Sequence, residues 1–404
     1  MGFLKSTIKG FSLISFLRIL TRLITFAKTV IIARILFPYE FGVFGIVSLT
    51  LTFLEILTET GVNVVLIQEE KISKTYTSSA WIVSIIRGFI IAFLMIFSRY
   101  LVASFFHSPE VANLLLWASL IPILRGFINP SVIQFQKNLL FEKEFKIKFL
   151  SFFAEAFFSI ILVIILKSVL ALILGVILGV IVEIFLSFKM ATPKPCFSFS
   201  KDYLKKIISR GKWVTLAGIF NYFFSQGDSI AVGRILQTQD LGIYQMAYKI
   251  AILPITEITD VVSKVTFPVY LKISNDTARL KRAFLKTVAS TFFLTLLPAV
   301  ILFLFSKQII YFVLGEKWLD CWPILKILSC FPPIKAITSS SLTLFYSVKK
   351  QEYVSLISFL SFLFLIIFVL PLILKYGLTG AALSVVFSSI LLIPFTIYLI
   401  KKVF

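Results

Sequence analysis

Apolar runs of about 19 to 27 residues recur along the whole chain, each closed by a charged or Pro/Gly-bearing break. They lie near 12–36, 42–61, 80–105, 111–135, 149–167 and 169–188, and again near 212–234, 241–267, 284–306, 322–346, 353–374 and 377–400. A hydrocarbon core about 30 Å thick takes roughly 20 residues of helix, and backbone that faces lipid must satisfy its own hydrogen bonds. The pattern therefore predicts an all-α integral membrane protein of about 12 transmembrane helices. The longest polar stretch, Lys189 to Lys212, carries Pro193, Pro195 and a run of lysines. It reads as a linker between an N-terminal six-helix half, residues 1–195, and a C-terminal six-helix half, residues 196–404.

An internal repeat supports that division. The segment ARILFPYEFGVFG from Ala33 matches GRILQTQDLGIYQ from Gly233 at an offset of 200 residues, and the match includes Arg34 with Arg234, Glu40 with Asp240 and Gly42 with Gly242. Two related halves with an even number of helices enter the membrane in the same orientation, which predicts parallel repeats about an axis along the membrane normal. Such halves can rock around a central cavity and expose it to each side in turn.

Composition agrees with this reading: 59% of the 404 residues are hydrophobic, 45 are Phe, 15% are charged, and mean hydropathy is +0.99. The net charge of +21 is the kind of excess that marks nucleic-acid binders, but its distribution excludes that class. With the N-terminus inside, cytoplasmic segments collect about 24 of the 40 basic residues, against about six on the other side. That is the asymmetry that orients multi-span proteins. Both termini are therefore expected in the cytoplasm, in a multi-pass protein of the cytoplasmic (inner) membrane. Residues 1–37 are interrupted by Arg18, Arg22 and Lys28 without a small-residue cleavage site, so a retained first helix is expected. Cys196, Cys321 and Cys330 have no metal-ligand spacing, and the single histidine, His107, reads as a loop residue. No metal, cofactor or catalytic constellation is expected.

The chemistry lies in ionisable residues inside the spans, each costly unless it faces a partner or a cavity. Arg18, Arg22 and Lys28 fall within an arc of roughly 120° on the first helix. Glu55 and Glu59 are spaced i, i+4 on the second, and Glu257, Asp260 and Lys264 share one face of the eighth. Arg87, Arg125, Glu155, Glu183, Asp228, Lys249, Lys326 and Lys335 complete the set. Arg18, Arg22, Lys28, Arg87, Arg125, Lys249 and Lys264 are the candidates for a cationic cavity suited to an anion such as a diphosphate, because the arginine fork binds phosphate oxygens in pairs. Glu55, Glu59, Asp228, Glu257 and Asp260 read either as partners of those cations or as sites for a coupling ion.

Several motifs, in this order, resemble those of the polysaccharide and O-antigen flippases of the multidrug, oligosaccharidyl-lipid and polysaccharide exporter superfamily. They are ARILFPYEFGVFGIVSLTLTFLEILTETGVNVVLIQ at 33–68, QFQKNLLFEKEF at 134–145, GDSIAVGRILQTQDLGIYQMAYKIAILP at 227–254, VTFPVYLKI at 265–273 and LGEKWLDCWPILKILS at 314–329. The resemblance implies movement of undecaprenyl-diphosphate-linked oligosaccharide from the inner to the outer leaflet, coupled to a proton or sodium gradient. It also implies work alongside glycosyltransferases and a polysaccharide polymerase. Two rivals remain open: a small-molecule exporter of the same superfamily, and a multi-span glycosyltransferase or polymerase. The short outer loops, with His107 and the Glu316-Lys317-Trp318-Leu319-Asp320 segment, offer little for catalysis.

Overall fold

A computed structural model describes residues 20–59, 74–138, 140–198, 218–223 and 225–404. All regular structure among them is helical, and six of the helices are long and apolar enough to cross a membrane. The chain divides into two compact units, residues 1–222 and 223–404.

In unit 1, α1 is helical over 20–35, and α2 spans Pro38–Leu57. The carboxylate of Glu40 accepts the N–H of Phe37 at 2.7 Å and so ties off the start of α2. The helix ends four residues before the expected limit of its apolar run, and Glu59 lies just beyond the closing Thr58. Next come α3 (Lys74–Phe105), α4 (Glu110–Ala118) and α5 (Leu120–Gly126). The single helix expected over 111–135 is broken. Pro122 lacks an N–H for the preceding turn, and Asn129-Pro130 opens a 3-10 turn (Pro130–Val132) before the short α6 (Ile133–Lys137). Finally α7 (Phe141–Leu166) and α8 (Val169–Met190) form a hairpin through Lys167, whose φ is 46°, and Ser168, whose hydroxyl accepts the N–H of Leu170.

Glycines set the closest helix crossings of unit 1. A Cβ on Gly88 of α3 would lie 2.3 Å from the Pro122 carbonyl oxygen of α5, and one on Gly126 would lie 2.8 Å from that of Ser84. Gly175 and Gly179 of α8 abut Ser159 and Glu155 of α7 in the same way. Small residues at crossings are how helices associate where lipid is as apolar as leucine. The outward faces carry large apolar side chains instead: Phe89, Phe93, Phe97 and Leu101 form one exposed stripe along α3. Phe145, Phe149, Phe153 and Phe157 stack along α7 with ring centroids 5.5 to 6.3 Å apart.

In unit 2, α9 is helical over 225–235, and α10 spans Thr238–Lys272. Asp240 accepts the N–H of Gln237 at 3.1 Å, so the match of Glu40 with Asp240 in the 200-residue repeat is one capping device used twice. The α11 helix (Thr277–Leu304) contains Pro298 and is followed by α12 (Ser306–Val313), α13 (Cys321–Leu328) and α14 (Phe331–Ser347). The expected span 322–346 is interrupted at Ser329-Cys330, ahead of Pro332 and Pro333. The last helix, α15 (Gln351–Lys401), is two arms that meet at Gly377, where φ is 60° and ψ is −135°. The arms pack on each other: Phe364 and Phe395 have ring centroids 5.6 Å apart, and a Cβ on Gly380 would meet the carbonyl oxygen of Leu372.

Candidate functional site

Two of the arginines expected inside the membrane, Arg87 and Arg125, are held by carboxylates. Arg87 sits on α3 immediately before Gly88, and Arg125 on α5 immediately before Gly126, so the glycine crossing brings both side chains to one cavity. Glu55 and Glu59 complete its charged lining in a space of about 430 Å³. Arg87 makes three contacts at the end of α2: Nη2 donates to the Glu59 carboxylate at 3.0 Å and to the backbone carbonyl of Glu55, and Nε donates to the Thr58 hydroxyl at 3.3 Å. A cation there complements the unsatisfied carbonyls and the negative end of the helix dipole. Arg125 donates through Nη1 to the Glu55 carboxylate at 2.5 Å and is the more exposed of the two arginines. The quartet carries no net charge.

A second pair joins α1 to α7: Lys28 Nζ lies 2.6 Å from Glu155 Oε1. Glu155 occupies the spot where Gly179 of α8 lets α7 approach. Glu183, half-buried on α8, interacts electrostatically with Arg125, Lys148 and Glu155, and so links the two paired sets of unit 1. Lys148 is itself bound to Glu144 one turn away.

Unit 2 holds a different polar centre. Asp228 on α9 is 4% exposed; it accepts the Tyr244 hydroxyl at 2.7 Å and the N–H of Ser229 at 2.7 Å. It lines a cavity of about 170 Å³ together with Tyr248, Lys335, several serines such as Ser225, Ser339 and Ser358, and the apolar Phe331, Leu365 and Leu392. Lys335 and Asp228 interact electrostatically across it.

The remaining candidates are placed less closely. Arg18 lies outside the described residues, as do the side chains of Glu257, Asp260 and Lys264 on α10. Arg22 on α1 and Lys249 on α10 are exposed. Glu55 and Glu59 were expected on one continuous helical face; the helix stops between them, and Arg87 bridges the break. Two further signals for these sites lie in the sequence. Arg-Gly-Phe-Ile occurs twice, at 87–90 and 125–128, on the two crossing helices. Ser119-x-x-Pro122-x-x-Arg125 is matched by Ser329-x-x-Pro332-x-x-Lys335. Arg125 of the first cavity and Lys335 of the second thus each lie three residues after a proline.

Similarity to known proteins follows this layout. A family model described as "Polysaccharide biosynthesis protein" matches residues 31–323. An uncharacterized membrane protein in the cps region of Klebsiella pneumoniae is 26% identical over 330 residues, covering 81% of this chain and 68% of that protein. The lipopolysaccharide biosynthesis protein WzxC of Escherichia coli K12 is 22% identical over 300 residues, 74% of this chain and 61% of that one. The teichuronic acid biosynthesis protein TuaB of Bacillus subtilis 168 is 24% identical over 282 residues, 69% and 58%. The chain thus spans about three fifths to two thirds of the length of these relatives. Among solved structures, the lipid II flippase MurJ in an inward closed conformation superposes with a TM-score of 0.80 at 19% identity, covering 96% of this chain and 87% of that one. An inward-facing multidrug resistance transporter of the MATE family superposes with a TM-score of 0.69 at 17% identity, covering 95% of each. These two share the fold.

Proposed function

We infer the function of this chain from the family to which it belongs, the polysaccharide biosynthesis proteins: it is a flippase for lipid-linked oligosaccharide. Its substrate is an undecaprenyl-diphosphate-linked repeat unit, carried from the inner to the outer leaflet of the cytoplasmic membrane for O-antigen, capsule or exopolysaccharide assembly. The chain works as about twelve helices in two parallel halves that rock around a central cavity, with both termini in the cytoplasm. Its substrate comes from membrane glycosyltransferases and passes to a polymerase.

The observation that carries this reading is the pair of arginines set at the Gly88/Gly126 crossing inside a bundle whose outer faces are apolar. A guanidinium in an apolar bundle is costly unless it meets a partner or a cavity; these two have both, and their planar fork suits phosphate oxygens. Arg18, Arg22, Lys28, Lys249 and Lys264 extend the path of the charged headgroup. Asp228, Glu257 and Asp260 serve the coupling proton or sodium ion.

The test is reconstitution in liposomes with a fluorescent diphosphate-linked sugar lipid, read by sugar exposure on the far leaflet. Exposure should rise several-fold with the protein and fall to background in Arg22→Ala. Export of a cationic dye with no sugar exposure would assign the chain to small-molecule export instead.

A further inference from the structure

The two arginines of the unit 1 cavity are held very differently. Arg87 is fixed by a backbone carbonyl, a threonine hydroxyl and the Glu59 carboxylate. Its place would survive loss of the carboxylate, because the end of α2 still needs a donor. Arg125 is oriented by the crossing at Gly126, is held by the Glu55 carboxylate and keeps 44% of its side chain exposed. Each carboxylate meets its guanidinium through one oxygen, Glu55 Oε1 on Arg125 Nη1 and Glu59 Oε2 on Arg87 Nη2, which is a place that a phosphate oxygen would take.

We propose that Glu55 and Glu59 are resident anions that occupy a phosphate site formed by Arg125 and Arg87, and that a phosphate- or diphosphate-bearing ligand binds by displacing them. The cavity is therefore self-occupied at rest. An anion entering it exchanges one guanidinium partner for another and leaves the carboxylates facing the cavity. This rests on the phosphate-bearing substrate proposed above and adds that its headgroup competes with side chains of the protein. The competition lowers apparent affinity by the fraction of molecules whose arginines are free, and it leaves the empty cavity neutral, so unladen protein does not gather stray anions.

Inorganic pyrophosphate is the probe, with the purified full chain in detergent. Glu55→Gln and Glu59→Gln keep the shape and a hydrogen-bond acceptor while removing the competing charge. Each should tighten pyrophosphate binding about tenfold, and the gain should vanish when Arg125→Ala is added to Glu55→Gln. The wild-type protein supplies a second readout that needs no variant. Dicyclohexylcarbodiimide labelling of Glu55 and Glu59, followed by mass spectrometry, should rise with pyrophosphate, while labelling of Glu144, bound to Lys148, stays level. Unchanged affinity in both glutamine variants, a gain that survives loss of Arg125, or labelling indifferent to pyrophosphate overturns the proposal. Because these readouts involve no lipid, a pyrophosphate response without lipid flipping would refute the substrate and leave the exchange standing, and the reverse result would refute only the exchange.

Discussion

At the scale of single residues, the cost of a charge in an apolar bundle depends on what remains when its partner is removed. Arg87→Ala removes three contacts at once, to the Glu59 carboxylate, the Glu55 carbonyl and the Thr58 hydroxyl, whereas Glu59→Ala leaves Arg87 with its carbonyl and hydroxyl. Loss of the arginine should therefore be the more damaging of the two. Removing both should cost less than the sum of the single losses, with a coupling of about 0.5–3 kcal/mol in a double-mutant cycle on unfolding. In unit 2, Tyr244→Phe removes the hydroxyl donated to buried Asp228 and should destabilise by about 1–3 kcal/mol. Adding Asp228→Asn should restore part of that loss, both read from thermal melts in detergent.

At the scale of elements, spacing between helices is set by glycines, and this is where the sequence was hardest to read. Alanine at Gly88 would place a methyl group 2.3 Å from the Pro122 carbonyl, so Gly88→Ala should separate α3 from α5 and lower the melting temperature. Its effect should exceed that of alanine at the neighbouring outward-facing Phe89. Asp240→Ala, which removes the cap of α10, should cost about 0.5–2 kcal/mol. Existence of most helices was legible, because runs of apolar residues report immersion in lipid directly. Their limits were not, since α7 begins at Phe141 and α3 at Lys74, well before their apolar runs. Helical backbone continues into the charged flanks, and hydropathy records side chains only. The breaks inside 111–135 and 322–346 lie just ahead of prolines, Pro122, Pro130 and Pro332, which an apolar run does not register.

At the scale of the whole molecule, the charged residues were legible as a set and their pairing was not. Arg87, Arg125, Glu55 and Glu59 stand out by chemistry alone, but pairing depends on a crossing written only in the repeated Arg-Gly-Phe-Ile. The proposed orientation makes a prediction through the native cysteines. Cys196 is exposed and Cys321 buried, so a membrane-impermeant maleimide should label Cys196 in inside-out vesicles, spare it in right-side-out ones, and leave Cys321 unmodified in both. Pairing across helices also bears on how the chain is made. Glu55 and Glu59 are synthesised before Arg87, and Arg87 before Arg125. Each arginine therefore leaves the ribosome after its acidic partner, and α2 precedes α3 and α5 in synthesis. The ion pairs that line the finished cavity are thus supplied acid first and arginine second during synthesis.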